Sequence, residues 1–278
     1  MLNVLRLSDS HSLLDRLFNR EFKITTGKLC DFDCFYINCL KHEINFEKLK
    51  QITGNASKSL IVQKGIEVPD DIGIDNNEIK KKVLLNSAIK AVKSTKVTNL
   101  ALVDVDARYS AITGALLENV NKLIIITSRV DEYNKYCCKF QRKYGVAPII
   151  TDNNDLIDLC SVIIAPDGVG NISMFNLDTV IFSNSSNFSF TVDENCIDYP
   201  FDNQRLNDYS PLDIYAALVV MSTKFKKTVP LCHSFVKNGK MYLFKDVVSM
   251  ITALDIKASN NYNINIANLF LNKRNGAV

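Results

Sequence analysis

Residues 100–133 read LALVDVDARYSAITGALLENVNKLIIITSRVDEY, and this stretch decides the fold. A first apolar run ends at Asp104, a helical pattern follows over residues 109–120, and a second apolar run ends in Thr127-Ser128-Arg129. Two short apolar runs joined by a helical pattern are typical of two parallel strands with a crossover helix. The stretch therefore predicts a β-α-β unit.

The same alternation continues to about residue 183, with further strand candidates in VAPIIT, SVIIAPDG and LDTVIFSN. These candidates are continuous apolar runs, and strands whose side chains alternate between apolar and polar would look different. Continuous runs are typical of strands that are buried on both faces of a parallel sheet. We therefore predict an α/β protein with a mostly parallel sheet and helices on both of its faces.

The pattern along the whole chain predicts two domains. Residues 1–94 have the pattern of a smaller N-terminal α/β unit, and residues 95–278 contain the parallel sheet with a C-terminal helix and hairpin. The hairpin is expected at Asn238-Gly239, because this dipeptide favours a tight turn between two strands.

Composition excludes several classes of function. The net charge is only +3 over 278 residues, whereas nucleic-acid-binding proteins concentrate basic residues on one face. The eight cysteines include no C-x-x-C pair and the three histidines are not spaced as ligands, so no metal site is predicted. No apolar run reaches transmembrane length and the N-terminus has no secretory pattern. We expect a cytoplasmic protein with no membrane or nucleic-acid partner.

The turn after the first strand of the β-α-β unit reads Asp104-Val-Asp106-Ala-Arg108. A dinucleotide site has glycines here, because they let backbone N–H groups approach the pyrophosphate closely. The nearest glycine, Gly114, lies well inside the helical pattern that follows. The turn therefore lacks the glycine fingerprint, and its carboxylates would repel a pyrophosphate.

Residues 97–170 nevertheless resemble the cofactor domain of the shikimate dehydrogenase group. IIITSRVDEYNKYCCKFQRKYG is similar to that family's second strand and helix, and DLCSVIIAPDGVGN is similar to its later strand and loop. The resemblance implies a Rossmann-like fold, with NADP favoured over NAD because Arg129 would meet the 2′-phosphate. The residues expected around such a cofactor are Asp106, Arg108, Thr127, Ser128, Arg129, Asp167 and Gly168. Lys64 is the one candidate for that family's catalytic lysine.

A second hypothesis starts from the aspartates. LALVDVDAR and IIITSR resemble two motifs of the haloacid-dehalogenase-type phosphohydrolases. In that hypothesis Asp104 is the nucleophile and Asp106, on the same side of the strand, is the general acid/base. A Mg²⁺ ion would offset the charge. Thr127 or Ser128 would hold the phosphoryl group, and Lys139 or Lys143 would neutralise it.

A third hypothesis is a scaffold or small-molecule sensor, which could form a homo-oligomer. Strand-end aspartates often cap the helix that follows, and Asp106 would then be an N-cap with Arg108 and Arg129 in solvent. The sequence leaves all three hypotheses open. The leading one is a Rossmann-like protein, related to NAD(P)-dependent oxidoreductases, whose dinucleotide site is altered or lost.

Overall fold

The computed structural model describes residues 1–8, 20–40, 43–95, 97–169, 179–185, 188–203, 206–227 and 229–256. These residues form two compact units. Unit 1 consists of residues 1–80 and 197–230, and unit 2 consists of residues 81–196 and 231–278. These units are groups of residues in contact with one another. The division into domains 1–94 and 95–278 stays a prediction.

Unit 1 contains a four-stranded sheet in the order β2-β3-β1-β4. Its strands are β1 (Leu2–Leu7), β2 (Phe22–Leu29), β3 (Phe32–Cys39) and β4 (Leu60–Val62). Strands β3, β1 and β4 are parallel, and β2 pairs with β3 as an antiparallel hairpin. The hairpin turns at Cys30 and Asp31, which both have positive φ, as the tight turn of a two-residue hairpin requires.

The described part of unit 1 also contains the 3₁₀ helix Gly54–Ser59 and three α-helices, α1 (Phe46–Thr53), α5 (Pro211–Met221) and α6 (Thr223–Lys227). Helix α5 begins with Ser210 as N-cap and proline at its first position, as the sequence predicted. Its buried residues Ile214, Ala217 and Leu218 pack with Leu2 and Val4 of the central strand. Helix α5 therefore packs on one face of β1, and the residues between them form a hydrophobic core of unit 1.

Unit 2 contains a five-stranded parallel sheet in the order β7-β6-β5-β8-β9. Its strands are β5 (Asn99–Val103), β6 (Lys122–Ile126), β7 (Ile149–Thr151), β8 (Val162–Ile164) and β9 (Val180–Phe182). Numbered from β5, this order is 3-2-1-4-5, which is the order of the doubly wound Rossmann fold. The predicted Rossmann-like parallel sheet is confirmed.

Helices α2 (Asn77–Thr95), α3 (Thr113–Leu117) and α4 (Val130–Tyr144) lie along the chain before and between these strands. Helix α4 ends at Gly145, whose left-handed conformation closes the helix as predicted. The prediction of one continuous helix over 109–120 is wrong. Residues 110–112 form a 3₁₀ turn and α3 has only five residues.

The hairpin predicted at Asn238-Gly239 is present between β10 (Ser234–Lys237) and β11 (Lys240–Leu243). Both turn residues have positive φ. A last helix, α7, covers residues 244–256, and its Asp255 carboxylate accepts from the backbone N–H and hydroxyl of Thr98. No helix in the described residues is both long enough and apolar enough to span a membrane.

Candidate functional site

The strand order of unit 2 indicates where a ligand would bind. Strands β5 and β8 are neighbours at the centre of the sheet, and the chain leaves their carboxyl ends toward opposite sides. In doubly wound sheets the ligand crevice lies outside this point. The turn of residues 104–109 follows β5, and the turn of residues 165–169 follows β8. These two turns therefore form the candidate site.

Asp104 is 1% exposed, and both oxygens of its carboxylate accept hydrogen bonds. One oxygen accepts the backbone N–H of Arg108 at 2.8 Å, and the other accepts the N–H of Tyr109 at 2.7 Å. The second oxygen also accepts the hydroxyl of Tyr133, a buried residue of α4. The carboxylate therefore accepts hydrogen bonds from two backbone N–H groups of the turn in which a dinucleotide site would bind an anion.

The carbonyl oxygen of Val105 fixes the same turn to β6. It accepts the hydroxyls of Thr127 at 3.1 Å and Ser128 at 2.8 Å, and also the N–H of Ser128 at 3.2 Å. Ala107 has a φ of 58°, so the turn includes one strained non-glycine residue. Thr127 and Ser128, predicted to bind a cofactor or a phosphoryl group, therefore bind the protein's own backbone.

Tyr133 is the residue of this site that sequence reasoning missed. Burial raises the pKa of its hydroxyl, and the hydrogen bond to the Asp104 carboxylate raises it further. The hydroxyl is therefore a proton donor throughout the physiological pH range. The helical period places Tyr133 and Phe140 on the buried face of α4, but no sequence pattern indicates that the phenol meets a strand-end aspartate.

Asp106 and Arg108 lie on the outside of the turn. The Asp106 side chain is 56% exposed and forms an ion pair of 3.4 Å with Arg108, whose side chain is similarly exposed. The prediction that Asp104 and Asp106 project to the same side is wrong, because β5 ends at Val103 and the chain turns before Asp106. The predicted N-cap role is also wrong for Asp106, because Asp104 binds the N–H groups of the turn.

Arg129 is exposed at the position before α4, and its guanidinium forms no ion pair within the described parts of the chain. It precedes two acidic residues, Asp131 and Glu132, in the first turn of that helix. The Lys135 ammonium lowers the pKa of the Glu132 carboxyl most, and Arg129 adds a smaller effect of the same sign. Arg129 is therefore an exposed cation beside the carboxyl end of β6, and its charge acts on the nearby Glu132 carboxyl.

The turn after β8 contains Asp167 and Gly168. The Asp167 carboxylate forms an ion pair of 2.6 Å with Lys81 of α2. Gly168 has a φ of 109°, and a Cβ atom there would lie only 2.6 Å from the Ser185 hydroxyl oxygen. The glycine is thus required by its backbone conformation and by close packing against Ser185.

The remaining candidates lie elsewhere. Lys64 is exposed in unit 1 just after β4, and its backbone N–H donates to Asp208. Lys139 and Lys143 line a groove of about 390 Å³ together with three aromatic residues of α4 and with Ser110, Ala111 and Gly114. Neither lysine lines the Asp104 turn. No cluster of three or more histidine, cysteine or acidic residues that could hold a metal occurs among the described residues.

No family model matches the chain, and no curated protein matches it. Among solved structures, it is similar to a shikimate dehydrogenase in complex with NADP+, with 13% identity, a TM-score of 0.31, and coverage of 91% of this chain and 96% of the other. The L-tryptophan dehydrogenase of Nostoc punctiforme is 11% identical, with a TM-score of 0.32 and coverage of 80% and 68%. A lysine cyclodeaminase is 12% identical, with a TM-score of 0.27 and coverage of 68% and 62%.

All three TM-scores are low, and the fold class rests on the strand order and pairing. A shikimate dehydrogenase, from the group that residues 97–170 were predicted to resemble, is among these weakly similar structures.

Proposed function

We propose that this protein is a Rossmann-like relative of NAD(P)-dependent oxidoreductases whose dinucleotide site is closed by its own Asp104. It would then act without hydride transfer from a nucleotide at that site, as a small-molecule-binding protein. One observation carries the proposal. The Asp104 carboxylate accepts the backbone N–H groups of Arg108 and Tyr109, in the turn where a dinucleotide site binds pyrophosphate.

The physical reason is competition between two anions for the same donors. A pyrophosphate at this turn would have to displace the carboxylate from two N–H groups and from the Tyr133 hydroxyl. The displaced carboxylate would remain close to the phosphates, in a site where Asp104 is now fully buried. Burying a charge without its hydrogen-bond partners costs several kcal/mol, and this cost would oppose the binding of pyrophosphate.

The helix after the turn adds little attraction for an anion. In dinucleotide-binding proteins a long helix directs its N-terminal N–H groups at the pyrophosphate. Here a 3₁₀ turn and the five-residue α3 take its place. The N-cap position of α3 is Ile112, whose side chain forms no capping hydrogen bond. The summed backbone dipole of so short a helix is correspondingly small.

The charges beside the two turns support the same proposal. Arg108 is paired with Asp106, and Lys81 is paired with Asp167, so their charges are already compensated. Arg129, the other arginine expected around a cofactor, is exposed and forms no ion pair in the described residues. If a nucleotide binds in another mode, NADP is favoured over NAD, because Arg129 would meet its 2′-phosphate.

Phosphoryl transfer is not part of this proposal. A nucleophilic Asp104 would need a free oxygen, and both of its oxygens accept hydrogen bonds. Asp106, the proposed general acid/base, is exposed and on the other side of the turn.

Calorimetric titration with NADPH and with NADH tests the proposal. We expect no saturable heat with either nucleotide. Saturable NADPH binding that is lost in Arg129→Ala and kept in Arg142→Ala would overturn it, since Arg142 is an exposed arginine at the other end of α4. A Mg²⁺-dependent response to a phosphate mimic that Asp104→Asn abolishes would instead favour the phosphohydrolase hypothesis.

A further inference from the structure

A groove of about 390 Å³ lies in unit 2 between α4 and the segment that contains α3. Ser110, Ala111 and Gly114 form one wall, and side chains of α4 form the other. The α4 side chains recur at helical spacing and so share one face of the helix. They are Tyr136, Lys139, Phe140, Lys143 and Tyr144. Small-molecule sites have volumes of about 300 to 1,000 Å³, so the groove is large enough for one small organic molecule.

The shortness of α3 leaves part of this face of α4 uncovered. Helix α3 has five residues, whereas α4 has fifteen. The two segments approach most closely at Gly114, where a Cβ atom would collide with the Tyr144 hydroxyl. The close approach explains a glycine inside a helix, where alanine is otherwise favoured. The wall opposite α4 therefore consists of small residues, and their side chains leave the space between the walls free.

Three aromatic residues form a stripe along the α4 wall. The ring centroids of Tyr136 and Phe140 are 6.2 Å apart, and those of Phe140 and Tyr144 are 6.4 Å apart. Phe140 is buried, whereas Tyr136 is 42% exposed, so part of its ring is open to solvent. An open aromatic ring packs well against another planar ring. The stripe therefore favours a ligand that contains a flat ring.

Among the described residues that line the groove, two are cationic and none is acidic. Lys139 and Lys143 are four residues apart on α4, so they are neighbours on the helix surface and repel each other. Neither forms an ion pair within the described part of the chain. Lys143 donates to the Tyr144 hydroxyl at 2.8 Å. This hydrogen bond raises the pKa of Lys143, and the more distant Glu118 carboxylate adds a smaller rise, so Lys143 stays a cation.

We propose that this groove binds a small aryl phosphate, which is a planar ring with a phosphate group attached to it. The ring lies against Tyr136, and the phosphate dianion meets the ammonium groups of Lys139 and Lys143. Lysine binds phosphate as a point charge, and two such charges match a dianion. Aromatic and cationic side chains lie next to each other on one face of α4, so the ring and the anion must also be adjacent in the ligand.

The inference rests on the proposed role as a small-molecule-binding protein and supplies a site for it. The groove shares no residue with the turns of residues 104–109 and 165–169, so the two proposals can fail separately. NADPH fits the groove poorly, because a ribose separates its adenine ring from its 2′-phosphate. No acidic residue or histidine is among the described lining residues, so the proposal concerns binding and includes no hydrolysis.

Calorimetric titration of the full chain with phenyl phosphate tests the inference. Two fragments of this probe serve as comparisons. Inorganic phosphate carries the charge without the ring, and phenol carries the ring without the charge. We expect saturable binding of phenyl phosphate, with each fragment bound at least about tenfold more weakly, because each loses one of the two contacts.

Variants on α4 separate the two contacts. Lys139→Met and Lys143→Met should each weaken phenyl phosphate binding about tenfold. Lys135→Met is the matched control, because Lys135 is an exposed lysine of the same helix that pairs with Glu132 and does not line the groove. It should leave the affinity unchanged. Tyr136→Leu should weaken the binding of phenyl phosphate and leave that of inorganic phosphate unchanged, because only the ring contact is lost.

The inference is wrong if phenyl phosphate binds no more tightly than inorganic phosphate, or if both lysine variants of the groove keep the wild-type affinity. An equal loss in Lys135→Met would also contradict it, since the effect would then reflect the general charge of α4. Any of these results leaves the closed dinucleotide site standing. NADPH binding that is lost in Arg129→Ala would instead overturn the closed site and leave the groove unaffected.

Discussion

The charged side chains at two strand ends of this protein differ in how completely their hydrogen-bonding groups are paired. After β5, the Asp104 carboxylate meets two backbone N–H groups and one phenol, so the anion is fully satisfied from within. At the end of β1, the Arg6 guanidinium meets one amide oxygen and one ring face, and its fork stays open. The carboxyl end of a strand is a place for a ligand only if the protein leaves its polar groups unbonded there. At the end of β1 the Arg6 fork thus stays open within the described residues, whereas at the end of β5 both oxygens of Asp104 accept hydrogen bonds.

Removing the internal anion should have the largest effect. Asp104→Ala leaves two backbone donors and the buried Tyr133 hydroxyl without an acceptor, and should lower the free energy of unfolding by about 3 to 5 kcal/mol. Asp106→Ala removes an exposed aspartate two residues away and should change it by less than about 1 kcal/mol. Urea denaturation followed by circular dichroism measures both. Equal losses would mean that the Asp104 hydrogen bonds do not hold the turn.

Tyr133→Phe should have the next largest effect. It removes one donor from a buried carboxylate, which should lower the free energy of unfolding by about 2 kcal/mol. Tyr136→Phe is the matched control on the same helix, because Tyr136 is exposed, and it should be nearly neutral. The idea that the phenol completes the carboxylate's environment fails if the two variants unfold at the same urea concentration.

The advantage of wild type over Tyr133→Phe should depend on pH. A phenol ionises near pH 10.0 when free, and burial and Asp104 raise the pKa of Tyr133 well above that value in the folded protein. The unfolded state therefore loses this proton first, so the stability contributed by the Tyr133 hydroxyl is complete below pH 10 and declines above it. The difference between the two proteins should be constant from pH 7 to 9 and smaller by about 1.4 kcal/mol at pH 11. A difference that grows with pH would contradict this sign.

Arg6→Met should have the smallest effect on stability. The change loses a stacking contact and one hydrogen bond, and it also relieves a partly desolvated charge, so the net change should be within about 1 kcal/mol. Urea denaturation of Arg6→Met beside Asp104→Ala compares the two strand ends directly. A loss as large as that of Asp104→Ala would show that Arg6 serves the fold and would remove the contrast.

The fold was predictable because it depends on apolar patterning. The continuous runs at KLIII and SVII predicted strands buried on both faces, and the parallel sheet contains both. Asn238-Gly239 specified its turn locally through two positive φ angles. In each case the conformation is determined by residues that are neighbours in the sequence.

The site was less predictable because its hydrogen bonds join distant residues. The sequence indicated the correct turn, but not that Asp104 is enclosed while Asp106 is exposed, because the strand ends one residue before Asp104. The Tyr133 hydroxyl meets a carboxylate 29 residues away. Arg6 and Asn38 are 32 residues apart and become neighbours only through the register of β1 and β3.

Hydrogen exchange at the backbone N–H groups of Arg108 and Tyr109 tests the central claim most directly. If Asp104 takes the place of a nucleotide phosphate, both groups exchange slowly in the free protein, and NADPH leaves their rates unchanged. In Asp104→Asn, at least one of the two should exchange faster. Fast exchange in the free protein, with protection appearing only when NADPH is added, would contradict the account.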